Sequence, residues 1–218
     1  GLMPDTLLFT APQYNTWIEL NLHQNQEDVL EYARAIIDYG LPPGVFMIDD
    51  TWQEDYGIWD FHPGRFEAPK EMIDELHKLG HKVMLWVCPF VSADQSLLFS
   101  KLKKQKAFLL QKSSEDDTWE TARSPVMVDW WNGISAVLDY SNPVAVDWFN
   151  EQLDRLVETY NVDGFKLDAA DFPFYPENTL SKGNLTPQEH CLSYTQFGLR
   201  FPLNEYRASW KMAGLPLV

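Results

Sequence analysis

Along this chain, short continuous apolar runs alternate with longer stretches in which apolar residues return every third or fourth position. Tyr14 to Leu20 alternates and is rich in aromatic and β-branched residues, which predicts a first strand. A helix is predicted next, capped by Asn25, with Glu27 and Asp28 in its first turn. Val29, Ala33, Ile36 and Ile37 form its apolar stripe, which ends near Gly40 before Pro42 and Pro43. Val45 to Ile48 is apolar throughout, as suits a parallel strand covered on both faces, and runs into Asp49-Asp50-Thr51-Trp52. Pro69 starts a second helix with Met72, Ile73, Leu76 and Leu79 inward and Gly80 as its C-terminal cap; Lys82 to Val87 is the third strand. From Ser92 to about Val137 the pattern loosens, through a basic amphipathic piece (Lys101 to Lys112) and a tryptophan-rich stretch. A connection of that length, here about 92–137, reads as a functional βα-loop insertion.

Asn142-Pro143 then caps and starts a helix with Ala145, Phe149, Leu153, Leu156, Val157 and Tyr160 on one face. It leads into Asn161-Val162-Asp163-Gly164-Phe165-Lys166-Leu167-Asp168-Ala169-Ala170-Asp171. Val162 to Leu167 reads as a buried strand, with Gly164, Lys166 and Asp168 on one face and Phe165 and Leu167 on the other. A lysine beside an aspartate on one partly buried surface favours the ionised carboxylate, as a nucleophile would need. The same two residues would equally serve as a structural ion pair closing the strand. Beyond it, Thr186-Pro187-Gln188-Glu189 is a capping box predicted to open a helical region reaching about Met212, and Leu215 to Val218 resembles the entry to a further strand. Four strand–helix alternations imply a parallel sheet with right-handed crossovers. The fold class expected is α/β, a TIM (β/α)8-type barrel of which about the first half, four βα units, lies within residues 1–218, since a closed barrel takes ~250 residues. A doubly wound open sheet is the runner-up, although no glycine-rich phosphate loop follows any strand.

Composition narrows the chemistry. With 218 residues, 45% hydrophobic and 14% aromatic, the chain can bury one substantial core. A formal charge of -15 repels phosphate backbones and anionic membrane surfaces, so neither nucleic acid nor membrane is expected as a partner. No charged-then-apolar leader opens the given residues, and Val83 to Val91, the longest apolar stretch, is far too short to span a bilayer, so a soluble chain is expected. Cys88 and Cys191 lie far apart and do not settle the compartment. Among the five histidines, His77 and His81 stand four apart but straddle Gly80 at a helix end and are expected to face solvent, so neither metal nor cofactor is expected. No Gly-x-Ser-x-Gly elbow is present.

Val45 to Trp52, Trp59 to Val91 and Leu138 to Asp171 together resemble the catalytic barrel of glycoside hydrolase family 31, the retaining α-glycosidases. The resemblance implies that Asp168 is the catalytic nucleophile, which attacks the anomeric carbon and forms a glycosyl-enzyme intermediate. It implies that Lys166 binds a sugar hydroxyl and holds Asp168 ionised, that Asp49 accepts hydrogen bonds from hydroxyls of the cleaved sugar, and that Trp86 lines that subsite. Asp171 is expected as a substrate-side contact. Trp52, Trp119, Trp130 and Trp131 are candidates for stacking on sugar rings, with core packing an equal reading for each. Lys166-Leu167-Asp168-Ala169-Ala170-Asp171 departs from the Trp-x-Asp-Met-Asn-Glu of many α-glucosidases and is closer to the lysine-bearing branch of α-xylosidases and α-galactosidases, which usually continues with glutamate where Asp171 stands.

In that family the general acid comes from a later barrel strand, past Val218, so this stretch alone is expected to be a very poor hydrolase. The competing readings are a related α-galactosidase-type barrel and a non-catalytic carbohydrate-binding fragment that self-associates through its open barrel edge.

Overall fold

The computed structural model describes residues 3–207. Five strands form one parallel sheet: β1 (Gln13–Asn15), β2 (Val45–Ile48), β3 (Lys82–Val87), β4 (Gly164–Leu167) and β5 (Leu203–Tyr206). Their spatial order follows the chain without reversal. A doubly wound sheet reverses its order at a switch point, so that alternative falls away and the winding is that of a barrel.

The period of two along each strand divides the sheet into two surfaces. On the convex side Phe46, Ile48, Val83, Leu85, Val87, Phe165 and Leu167 are buried in one apolar cluster with the inward faces of three helices, Gln26–Asp38, Pro69–Lys78 and Pro143–Tyr160. The expected caps are in place. Asn25 accepts from the Asp28 amide, and Asn142 accepts from the Val144 amide. On the concave side the N-terminal half of the sheet is apolar, with Leu8, Val45, Met47, Met84 and Leu203 in a second cluster. Register sets Met47 beside Met84, and Gly164 between Met84 and Leu203. Two residues further along, the same surface carries Asp49, Trp86, Lys166 and Glu205. It therefore changes from apolar to charged within one step of the pleat.

Three elements differ from the pattern of the sequence. The first strand ends at Asn15, and Thr16–Leu20 is a short helix, because the Asn15 side chain accepts from the Trp17 amide at 2.8 Å and caps a turn where alternation alone would continue the strand. The capping box at Thr186 and Glu189 is present, but its helix stops at Thr195; a 3-10 turn (Gln196–Arg200) and β5 follow, so the fifth strand falls within the stretch expected to be helical. Met212 and Leu215 to Val218 lie outside the described residues. The stretch from Phe90 to Val137 is built: Phe90–Ser92, Met127–Trp130 and Gly133–Val137 form an antiparallel sheet, with the helix Ser96–Lys104 beside it.

The two histidines near Gly80 do not face open solvent. His77 Nε2 lies 2.7 Å from Asp163 Oδ2, which also accepts the Val83 amide, and His81 is buried with Nδ1 accepting from the Gly44 amide. Both therefore tie the start of a strand to a neighbouring segment.

Two residues make the fold's demands measurable. A Cβ on Gly164 would stand 1.8 Å from the Leu203 carbonyl oxygen, a backbone atom with no room to retreat. Gly164→Ala is expected to lower stability by at least about 2 kcal/mol, measured by denaturant unfolding. His190 is fully buried and stacked on Tyr175 at 5.1 Å; neither ring nitrogen has a hydrogen-bond partner, and burial pushes its pKa down to about 4. Unfolding frees this ring to take up a proton near its ordinary value, so its contribution is intact above about pH 6.5. As pH falls towards 4 it is lost, to a total of about 3 kcal/mol. Stability of His190→Phe against pH, compared with the parent, is expected to show a shallower acid slope across that window.

Candidate active site

The C-terminal ends of the five strands surround a cleft of about 430 Å³, lined by Asp49, Asp50, Trp86, Lys166, Asp168 and Arg207 from the strand ends, with Trp17, Asn21, Leu22 and Trp131 at its mouth. Asp168 is the first residue after β4 and is nearly buried. Its Oδ2 accepts the Trp86 indole N–H at 2.8 Å and its Oδ1 accepts the Ala169 amide at 2.8 Å. Arg207 Nη1 stands 3.7 Å from the same Oδ1. The amide contact depends on a backbone turn: Ala169, buried and with a side chain, holds φ at 58°, the left-handed region that disfavours a Cβ. That turn folds the amide back onto the preceding carboxylate, and both oxygens of Asp168 are thereby fixed in direction.

Asp49 lies 3% exposed at the end of β2. Its Oδ2 accepts Lys166 Nζ at 2.9 Å and Asn15 Nδ2 at 3.0 Å, while its Oδ1 accepts the Asp50 amide at 2.9 Å. The ammonium of Lys166 is therefore paired with Asp49 across the sheet rather than with Asp168, its neighbour two residues along β4. The direct ion pair of Lys166 is with Asp49, and Asp168 acts on the ammonium through its charge. Lys166 and Asp168 share a face, but the lysine stem reaches back over Trp86 to β2, and Asp168 takes two neutral N–H donors with the Arg207 guanidinium beside it. Burial pulls the Lys166 pKa down, yet Asp49, then Asp168 and Glu205, outweigh it and leave the group above its ordinary value. Lys166 is a fixed cation.

Asp50 lines the cleft floor, nearly buried, where Tyr56 donates to it at 3.0 Å and Gln53 Nε2 at 3.0 Å. Burial raises its pKa; Gln53, Tyr56, the Thr51 amide and Trp131 work against that rise. Asp171 sits at the rim, its Oδ2 accepting Arg207 Nε at 2.9 Å, so Arg207 joins it to Asp168.

The tryptophans separate clearly. Trp86 lines the cleft with its indole N–H on Asp168. Trp52 is fully buried, donates its indole N–H to the Trp86 carbonyl at 2.8 Å and packs on Trp59 and Phe61. It cannot stack on a ligand, and its expected substrate-binding role is replaced by support of Trp86 from behind. Trp130 is buried between Tyr56 and Phe90. Lys106 and Lys182 stand over the Trp119 ring. Trp131, at the hairpin turn before Gly133, is 47% exposed and lines the cleft, with the Arg207 guanidinium 5.5 Å from its ring centre.

Asn15, Glu205 and Arg207 were not legible as site residues from the sequence. Alternation puts Asn15 inside a continuing strand, and the capping box at Thr186 puts Glu205 and Arg207 inside a helix. Pro202 was the available signal for the latter two, since proline breaks a helix interior and Leu203, Glu205 and Arg207 then share one strand face.

Comparison with known proteins agrees with this geometry. The family model described as the glycosyl hydrolases family 31 TIM-barrel domain matches residues 9–212. Mouse myogenesis-regulating glycosidase is 34% identical over 176 residues, which cover 81% of this chain and 23% of that protein. The alpha-xylosidase XylQ of Lactiplantibacillus pentosus is 28% identical over 168 residues, covering 76% of this chain and 21% of the relative. The chain thus spans less than a quarter of the length of these curated relatives. Among solved structures, a family 31 dextranase of Flavobacterium johnsoniae complexed with glucose superposes with a TM-score of 0.78 at 16% identity, over 95% of this chain and 26% of that one, a likeness of fold. With that domain model spanning residues 9–212 and a parallel half-barrel beneath them, the chain belongs to glycosyl hydrolase family 31, as a part of its TIM-barrel domain.

Proposed function

We propose that the protein carrying this chain is a retaining α-glycosidase in which Asp168 is the nucleophile. The observation that carries the reading is the state of Asp168: a nearly buried carboxylate at a strand end, facing a cleft, with both oxygens aimed by N–H donors. In the first step an Asp168 oxygen bonds to the anomeric carbon, the glycosidic C–O bond breaks, and an acid protonates the departing oxygen; water then releases the sugar. Retention requires that acid about 5 to 5.5 Å from the nucleophile. None of the cleft carboxylates described is assigned that part, because Asp49 is ion-paired to Lys166, Asp50 is held by Tyr56, and Asp171 by Arg207. The acid is assigned to another segment of the barrel, and this chain by itself should hydrolyse glycosides very poorly.

Lys166 and Asp49 supply a donor and an acceptor for hydroxyls of the cleaved sugar, and the Trp86 face forms the wall. Lys166-Leu167-Asp168 resembles the lysine-bearing branch of α-xylosidases and α-galactosidases, and the relatives named alpha-xylosidase support the xylosidase type within it. Trp131 and Trp17, both exposed at the mouth, are the tryptophans we assign to a ring beyond the scissile bond. The edge strands β1 and β5 each have one partner among the described residues, so the isolated chain is expected to self-associate.

The whole protein, incubated with gluco-, xylo- and galacto-configured activated fluoroglycosides, should trap one sugar on the peptide bearing Asp168, read by mass spectrometry. A label on another residue, or none with any of the sugars, overturns the assignment. Asp168→Asn should reduce kcat/KM by more than about 10⁴-fold without changing the unfolding midpoint greatly. Trp86→Phe removes one N–H from the nucleophile and keeps an aromatic wall. Its expected loss is about 10- to 100-fold in kcat/KM, the equivalent of one hydrogen bond to a charged group.

A further inference from the structure

Glu205 stands beside Lys166 on the adjoining strand, in direct register with it. The ammonium of Lys166 therefore has a carboxylate on each side: Asp49 Oδ2 at 2.9 Å towards β2 and Glu205 Oε1 at 3.9 Å on β5. Asp49 is heavily committed, accepting from Asn15, the Asp50 amide and Lys166 together. Glu205 has Lys166 as its ion-pair partner, and its side chain is about one-third exposed, so it is not locked into the core. We propose that Glu205 is a positioning residue of the cleft, which balances the pull of Asp49 on Lys166 so that the ammonium stays over the barrel axis with an N–H directed at the substrate.

Three observations support the assignment. Lysine carries its charge on a flexible four-carbon stem, and a single partner on one side would draw it towards that side. Leu203, Glu205 and Arg207 alternate onto the concave surface, so Glu205 occupies the same layer as Trp86 and Lys166, one step below the layer of Asp168 and Arg207. The charged groups that meet Lys166 come from three strand ends, Asp49 on β2, Asp168 on β4 and Glu205 on β5, and each of them favours its charged form. Burial raises the Glu205 pKa; Lys166 opposes that rise, and Asp49 and Asp168 add to it. An ionised Glu205 is thus held in place mainly by Lys166, and the two are coupled in both directions.

The inference rests on the glycosidase reading for its catalytic consequence, and its first test does not. In the whole protein, the rate at which Lys166 is acetylated by a trace amine-reactive reagent at pH 8 to 9, read by mass spectrometry against the other lysines, should rise several-fold in Glu205→Gln and stay near the parent rate in Glu205→Asp. An unchanged rate in Glu205→Gln overturns the proposal, whatever the enzyme's activity. The second test is a cycle of Glu205→Gln and Lys166→Met on kcat/KM. Glu205→Gln should cost several-fold in the parent, mainly through KM, and nothing further once Lys166 is gone; equal losses in both backgrounds would show that Glu205 does not act through Lys166 and would also overturn it. Absence of glycosidase activity in the parent would remove the proposed function and leave the labelling result to decide the role of Glu205.

Discussion

A parallel strand must bury its side chains alternately on two surfaces, and in this chain one of those surfaces has to change character partway along. Val45 and Met47, Met84, and Leu203 close the lower half of the concave side as apolar packing, while Asp49, Trp86, Lys166 and Glu205 stand one pleat higher. Charges placed there are withdrawn from bulk water yet lie on top of an oil-like layer. Each of them therefore needs a partner at hand, since an unpaired buried charge costs far more than the pair gains. The Lys166–Asp49 pair, the Asp168–Trp86 hydrogen bond and the Arg207–Asp171 contact are the solutions the chain adopts. Removing one partner of a buried pair such as Lys166–Asp49 would cost about 3 to 5 kcal/mol, which couples the cleft's chemistry to the fold's stability.

Most of the scaffold was legible because its signals were local. Asn25, Asn142 and Thr186 cap the helices whose starts they mark, and the runs at Val45, Lys82 and Gly164 form strands whose outward faces meet those helices. The failures share a cause, which is that a side chain chose a partner that sequence distance hides. Asn15 turns the chain by capping Trp17 and also reaches Asp49, 34 residues on; Lys166 passes over its near neighbour for a carboxylate 117 residues earlier. Alternation places a residue on a face, and it does not say which residue of the adjoining strand lies beside it. Glu205 and Arg207 are hidden for a simpler reason: the Thr186 capping box signals where its helix starts and carries no signal for its end, which falls at Thr195 before Pro202.

The tryptophans show how little residue type alone decides. Trp52, Trp86, Trp130 and Trp131 have the same chemistry in sequence, yet two are buried supports, one is a wall bound to a carboxylate, and one lies open at the mouth. What distinguishes them is the destination of the indole N–H and the side of the strand from which each departs.

Trp131 reaches the cleft from a hairpin that belongs to a small antiparallel sheet of its own, joined to β3 through Phe90–Ser92. That sheet contributes no strand to the barrel and none of the carboxylates at the cleft floor. Changes in the length or sequence of the hairpin therefore leave the pairing of β3 with β4 untouched. The backbone of the entrance is thus independent of the barrel pairing, while the Trp131 side chain still reaches Asp50 and Arg207, so a change at the mouth is transmitted to the floor through side chains alone.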